Sequence, residues 1–60
     1  MTTEEHAQMI ADCEARESRL SDWERSFVDS IGEQIAQGRS LTPRQAETLD
    51  RIWEKATERG

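Results

Sequence analysis

The sequence predicts an all-α fold: a small three-helix domain built on an antiparallel hairpin of helices 2 and 3, with a weaker N-terminal helix. Three observations carry this expectation. Apolar residues return every third or fourth position in two stretches, Trp23, Phe27, Val28, Ile31 and Ile35, then Leu49, Ile52, Trp53 and Ala56, which is the period of a helix with one buried face. Helix boundaries are spelled out around those stripes, by Ser21 with Glu24, by Gly38, and by Thr42 with Pro43 and Gln45. No stretch alternates apolar and polar residues as a half-buried strand would. The chain is 60 residues long, so it reads as one domain, with an N-terminal helix in 1–19 and the hairpin in 20–58. A domain of this size buries only about 60% of the surface its unfolded chain exposes, and is marginal for that reason.

The first helix is expected over Thr3–Glu17. Thr2 and Glu5 have the spacing of a capping box, and Thr3 is an equally good cap. At 100° per residue, Met9, Ile10, Cys13 and Leu20 share one side, with His6 at its edge and Glu14 and Glu17 intruding. Helix 1 is expected to pack across the hairpin, with so thin a stripe leaving it either loosely docked or frayed. The segment "ARESRLS" (15–21) is the expected break.

Helix 2 is expected over Asp22–Gln37. Ser21 is its N-cap, and Glu24 completes a capping box. Trp23, Phe27, Ile31 and Ile35 recur every fourth residue, and Val28 widens the stripe. Gly32 lies inside the helix at a cost of about 1 kcal/mol relative to Ala, which a close helix–helix approach would explain. Gly38 supplies a left-handed C-terminal cap. Helix 3 carries the strongest start signal in the chain. Leu41 precedes the cap and is placed to pack on Ala46, Thr42 is the cap, Pro43 the first helical residue and Gln45 closes the box. Gln45, Leu49, Ile52, Trp53 and Ala56 form its inner face, and fraying is expected near Arg59 and Gly60. The connection "GRSL" (38–41) is short enough to make helices 2 and 3 neighbours.

Charge bounds the function. Eight Lys and Arg stand against 13 Asp and Glu, a formal net charge of −5. On helix 2, Asp22, Asp29 and Glu33 fall opposite Ile31 as an outward acidic ridge. On helix 3, Arg44, Arg51 and Lys55 fall opposite Leu49, with Arg59 beside them and Glu47, Asp50, Glu54 and Glu58 on the flank. Like charges along that flank weaken phosphate binding, so direct nucleic-acid binding is disfavoured despite the helix–turn–helix look of 38–53. One cysteine, Cys13, permits no internal disulfide, and points to a reducing compartment. With no apolar run of membrane length and no signal-peptide pattern, a soluble protein in the cytoplasm of a bacterial host cell is expected, with no membrane contact.

Candidate chemistry is sparse. His6 and Cys13, seven apart on one side, fall short of the four ligands of a structural zinc site; they read as a surface histidine and a half-buried thiol, the latter able to join two chains on oxidation. Ser21 and Thr42 are explained as caps, leaving no Ser–His–acid set. A bundle this small lacks the volume for a substrate pocket of several hundred cubic ångströms, and no glycine-rich phosphate loop is present. No enzyme, metal or cofactor is expected. Trp23 and Trp53, at the edges of the inner stripes, serve either as core packing or as aromatic anchors for a partner.

The segment Leu20–Lys55 resembles a short helical segment that recurs in phage and mobile-element proteins, as small free-standing proteins and as appendages on replication or repair proteins. The matching residues are Trp23, Glu24, Phe27, Ser30, Ile31, Gly38, Arg39, Leu41, Thr42, Gln45, Leu49 and Ile52. The resemblance implies an accessory protein working near nucleic-acid machinery, with no catalytic role. Three functions are therefore weighed. The first is a non-enzymatic protein-interaction module that binds, and inhibits or assists, a larger nucleic-acid-handling or defence protein through Asp22, Asp29 and Glu33. The second is nucleic-acid binding through Arg39, Arg44, Arg51 and Lys55. The third is self-assembly into a homo-oligomer, with Trp23 or Leu20 at the seam.

Overall fold

The computed structural model describes residues 3–58. Its elements are α1 (Thr3–Ala15), a 3-10 turn (Glu17–Arg19), α2 (Asp22–Ala36) and α3 (Pro43–Thr57), with no strand among the described residues. α1 stops two residues earlier than expected, and the break falls where the sequence places it. Thr2, the alternative first cap, and the expected fraying at Arg59 and Gly60 lie outside the described residues.

Local chemistry fixes both later helix starts. The Glu24 amide donates to Ser21 Oγ (3.2 Å) and the Ser21 amide to Glu24 Oε1 (2.8 Å). The Gln45 amide donates to Thr42 Oγ1 (3.1 Å) and the Thr42 amide to Gln45 Oε1 (3.0 Å). Each box satisfies two backbone donors that a helix start otherwise leaves open. α2 ends in a Schellman motif: Gly38 has φ of +83°, its amide donates to Ile35 O, and the Arg39 amide donates to Gln34 O. Only glycine adopts that backbone without strain.

α2 and α3 are antiparallel. Glu24 faces Lys55 and Gln34 faces Gln45, so ten steps forward on α2 match ten steps back on α3. The share of packing departs from expectation, however. α1 lies along α3 most extensively and along α2 next, while α2 and α3 approach each other least. α1 is thus the central wedge rather than a loose addition. It buries His6, Met9, Ile10 and Cys13, and the last three join Leu20, Val28, Ile31, Leu49, Ile52 and Ala56 in one core, with Phe27, Ile35, Leu41 and Trp53 half-buried around it. Cys13 and Ala56, both fully buried, are small side chains that let α1 and α3 come close. Gly32 marks the α1–α2 approach: a Cβ there would lie 3.4 Å from Ile10 Cγ2.

Polar ties lock the wedge. Trp53 Nε1 donates to Asp12 Oδ2 (3.2 Å), joining α3 to α1. Arg19 Nη1 donates to the Glu58 carbonyl (2.6 Å), placing a cation at the C-terminal end of α3, where the helix dipole favours it. Gln34 and Gln45 exchange amide hydrogen bonds in both directions (3.0 and 3.1 Å), and Gln34 also donates to the Ser40 carbonyl (2.8 Å), bracing the turn.

Candidate interaction surface

The most exposed large apolar side chain among the described residues is Trp23, at 63%. It stands in the first turn of α2 and stacks on Phe27, one turn along, with ring centroids 5.6 Å apart and planes 15° from parallel. Such offset-stacked pairs are favourable by about 0.5–1.5 kcal/mol beyond the area they bury. The two tryptophans therefore part ways. Trp53 is half-buried against the core with its N–H bound to Asp12, whereas Trp23, placed on the inner stripe by its spacing, faces water.

Asp22, Asp29 and Glu33 are all exposed on α2 as expected. They are not equivalent. Asp22 accepts from Arg25 Nη2 at 2.7 Å, while no ion pair reaches Asp29 or Glu33 among the described residues. The groups named for phosphate binding are exposed too, but two of the four are engaged. Lys55 Nζ donates to Glu24 Oε1 at 2.7 Å, and Arg51 lies 3.7 Å from Glu47. Arg39 and Arg44 stand near the start of α3 and are exposed. Glu24 thus serves twice, as the second half of the α2 capping box and as the partner of Lys55. The hydrogen bond from Lys55, then that from the Ser21 amide, holds its carboxyl below the ordinary glutamate value of 4.5. Sequence spacing gives the first role and conceals the second.

His6 and Cys13 come out differently from expectation. His6 is not a surface residue: it is buried, and its Nε2 lacks a hydrogen-bond partner. Cys13 is fully buried, and burial, then the charge of Asp12, pushes its thiol up to about 11. A thiol so placed is neither ionised near neutral pH nor accessible, so it does not link two native chains. Among the described residues no cluster of three or more His, Cys, Asp and Glu is arranged to hold a metal ion, and no helix is long and apolar enough to cross a membrane. Ser21 and Thr42 spend their hydroxyls accepting the Glu24 and Gln45 amides.

The surface does carry depressions of several hundred cubic ångströms, though as open troughs rather than enclosed pockets. One of about 400 Å³ runs between α1 and α2 over Ala7, Gly32 and Ala36. A second of about 330 Å³ lies beside the start of α2, between Glu17, Asp22, Arg25 and Asp29. A third, of about 470 Å³, lies among Arg51, Glu54, Lys55 and Glu58 on the outer side of α3. Comparison with protein-family models, with curated proteins and with solved structures finds no match to this chain.

Proposed function

We propose that this chain is a non-catalytic protein-interaction module, an accessory protein of a phage or mobile element that docks on a basic surface of a larger nucleic-acid-handling or defence protein and modulates it. One observation carries the proposal: a tryptophan 63% exposed and held in place by stacking on Phe27, in the same turn of α2 as Asp22. Tryptophan is among the residue types enriched at the hot spots of protein interfaces, and Asp29 and Glu33 farther along the helix supply the sign that steers a basic partner. The phage or mobile-element context is supported by the resemblance of Leu20–Lys55 alone. Nucleic acid is the weaker ligand, because Lys55 is held by Glu24 and Arg51 stands beside Glu47.

The test is affinity capture from a bacterial lysate with the parent chain, Trp23→Ala and Asp29→Lys, followed by titration of any purified partner. Loss of the anchor is expected to weaken binding by about 2 kcal/mol, some thirtyfold, with the helical melt little changed. A gel shift in low salt runs in parallel. Duplex or single-strand binding that falls steeply with added salt, and that Trp23→Ala leaves intact, would sink the proposal.

A further inference from the structure

We propose that the groove between α1 and α2 seats a cationic amphipathic helix from another protein. This rests on the interaction-module reading and names the chemistry of the partner. A packed pair of helices has two grooves, one on each side. On one side of the α1–α2 pair the groove is filled by α3. On the other lies the trough of about 400 Å³, lined by residues of α1 and α2 alone. Its apolar lining is Ala7, Gly32 and Ala36 together with Ile10 and Ile35, and Ile10 lies against Gly32. Helices pack at interaxial distances of about 8–10 Å when the side chains between them allow it, and this lining allows it.

The walls set the sign of the occupant. Glu14 rises from α1, Asp29 and Glu33 from α2, and among the described residues no ion pair engages any of the three. Asp29 also borders the second depression, which lies beside Glu17, Asp22 and Arg25 at the start of α2. Arg25 is held there by Asp22 at 2.7 Å. Between Asp29 and Ala36 the trough follows α2 for about 10 Å, roughly two turns. A helix with a small or aliphatic stripe flanked by Lys and Arg meets both features. A second copy related by a two-fold axis does not, since it would set these acids against themselves.

The experiment titrates the isotopically labelled full chain, in low salt, with a synthetic helical peptide carrying alanine and leucine on one face and lysine on the other, and follows backbone amide shifts by nuclear magnetic resonance. Shifts are expected to centre on Ala7, Asp29, Gly32 and Ala36. The double variant Asp29→Lys, Glu33→Lys, at exposed positions that leave the core intact, is expected to weaken binding about tenfold or more, while Trp23→Ala leaves it within about twofold. A matched peptide with glutamate in place of lysine is expected not to bind. Shifts centred on Trp23 and Phe27, shifts scattered over every acidic residue, or no binding of the lysine peptide overturns the groove assignment. Capture of a lysate partner through Trp23 is read separately, so failure of the groove assignment is distinguishable from failure of the module reading.

Discussion

Replacing Ile10 by alanine tests whether α1 is part of the core. A loosely docked helix would lose a few tenths of a kcal/mol. In the structure Ile10 is only 4% exposed and lies against Gly32. Truncating a buried isoleucine to alanine costs about 2–5 kcal/mol. The lower half of that range applies here, because Ile10 lies under an open trough, so the hole is relieved by water, leaving about 2–3 kcal/mol. For a chain of 60 residues the whole folding free energy is about 3–9 kcal/mol, and each kcal/mol moves the melting midpoint by about 4–8 °C. The variant is therefore expected to melt at least about 8 °C lower and to be partly unfolded at room temperature if the parent sits at the weak end. The assay is thermal and urea unfolding by far-ultraviolet circular dichroism, with Ile10→Val as a graded companion expected to cost about 1 kcal/mol. An Ile10→Ala variant within about 0.5 kcal/mol of the parent, the scatter of ordinary surface changes, would refute the central place given to α1.

Further outcomes follow from the geometry at four positions, Glu24, Thr42, Cys13 and Gly32. Thr42→Ala removes the acceptor of the Gln45 amide and is expected to cost about 1 kcal/mol in a thermal melt. Glu24→Gln keeps a side chain able to close the capping box but loses the charge facing Lys55, so it is expected to cost less than Glu24→Ala. The Glu24 carboxyl is held below its ordinary 4.5, so its contribution is complete above that value and fades as pH falls through the lower folded value. The parent is therefore expected to lose midpoint more steeply than Glu24→Gln on acidification below about pH 4.5, and parallel curves would contradict the Lys55 contact. Cys13, buried with its thiol pushed to about 11, is expected to resist an aromatic disulfide reagent at pH 8 until the chain unfolds; immediate labelling of the native protein would contradict its placement. Gly32→Ala puts a Cβ at ordinary contact distance from Ile10 and is expected to stabilise by up to about 1 kcal/mol through helix propensity, so a clear loss of midpoint would show that the two helices lie closer than described.

What was legible in the sequence is what three or four neighbouring residues decide among themselves. Ser21 with Glu24, Thr42 with Gln45 and the positive φ of Gly38 are local exchanges of hydrogen bonds and sterics, and the spacing of residue types reports them directly. The buried face of α1 was legible in Met9, Ile10 and Cys13, but the extent of its packing was not, because that face also takes in His6, a side chain of intermediate burial preference. Its burial is decided by the surface α2 and α3 leave uncovered. The ties of Arg19 to Glu58 and of Trp53 to Asp12 join residues some forty positions apart, and no pattern along the chain announces them.

Trp23 is the instructive case, since its exposure can be recovered from the sequence by angle rather than by spacing. Residues four apart on a helix are displaced by about 40°, because 3.6 rather than 4 residues make a turn. The series Trp23, Phe27, Ile31, Ile35 is therefore a spiral, not a stripe, and it sweeps about 120° around α2. The centre of the buried face is fixed by Ile31 and Val28, both 1% exposed, which lie about 80° and 140° from Trp23. Phe27 falls at the rim of that face and is half-buried; Trp23 falls about 110° from its centre and is exposed. The rotation that takes Trp23 off the core leaves its neighbour Phe27 half in it, so the pair is anchored from below and open above. A tryptophan at position 24 would instead point at α3, where Glu24 meets Lys55, and would have no free ring to offer a partner.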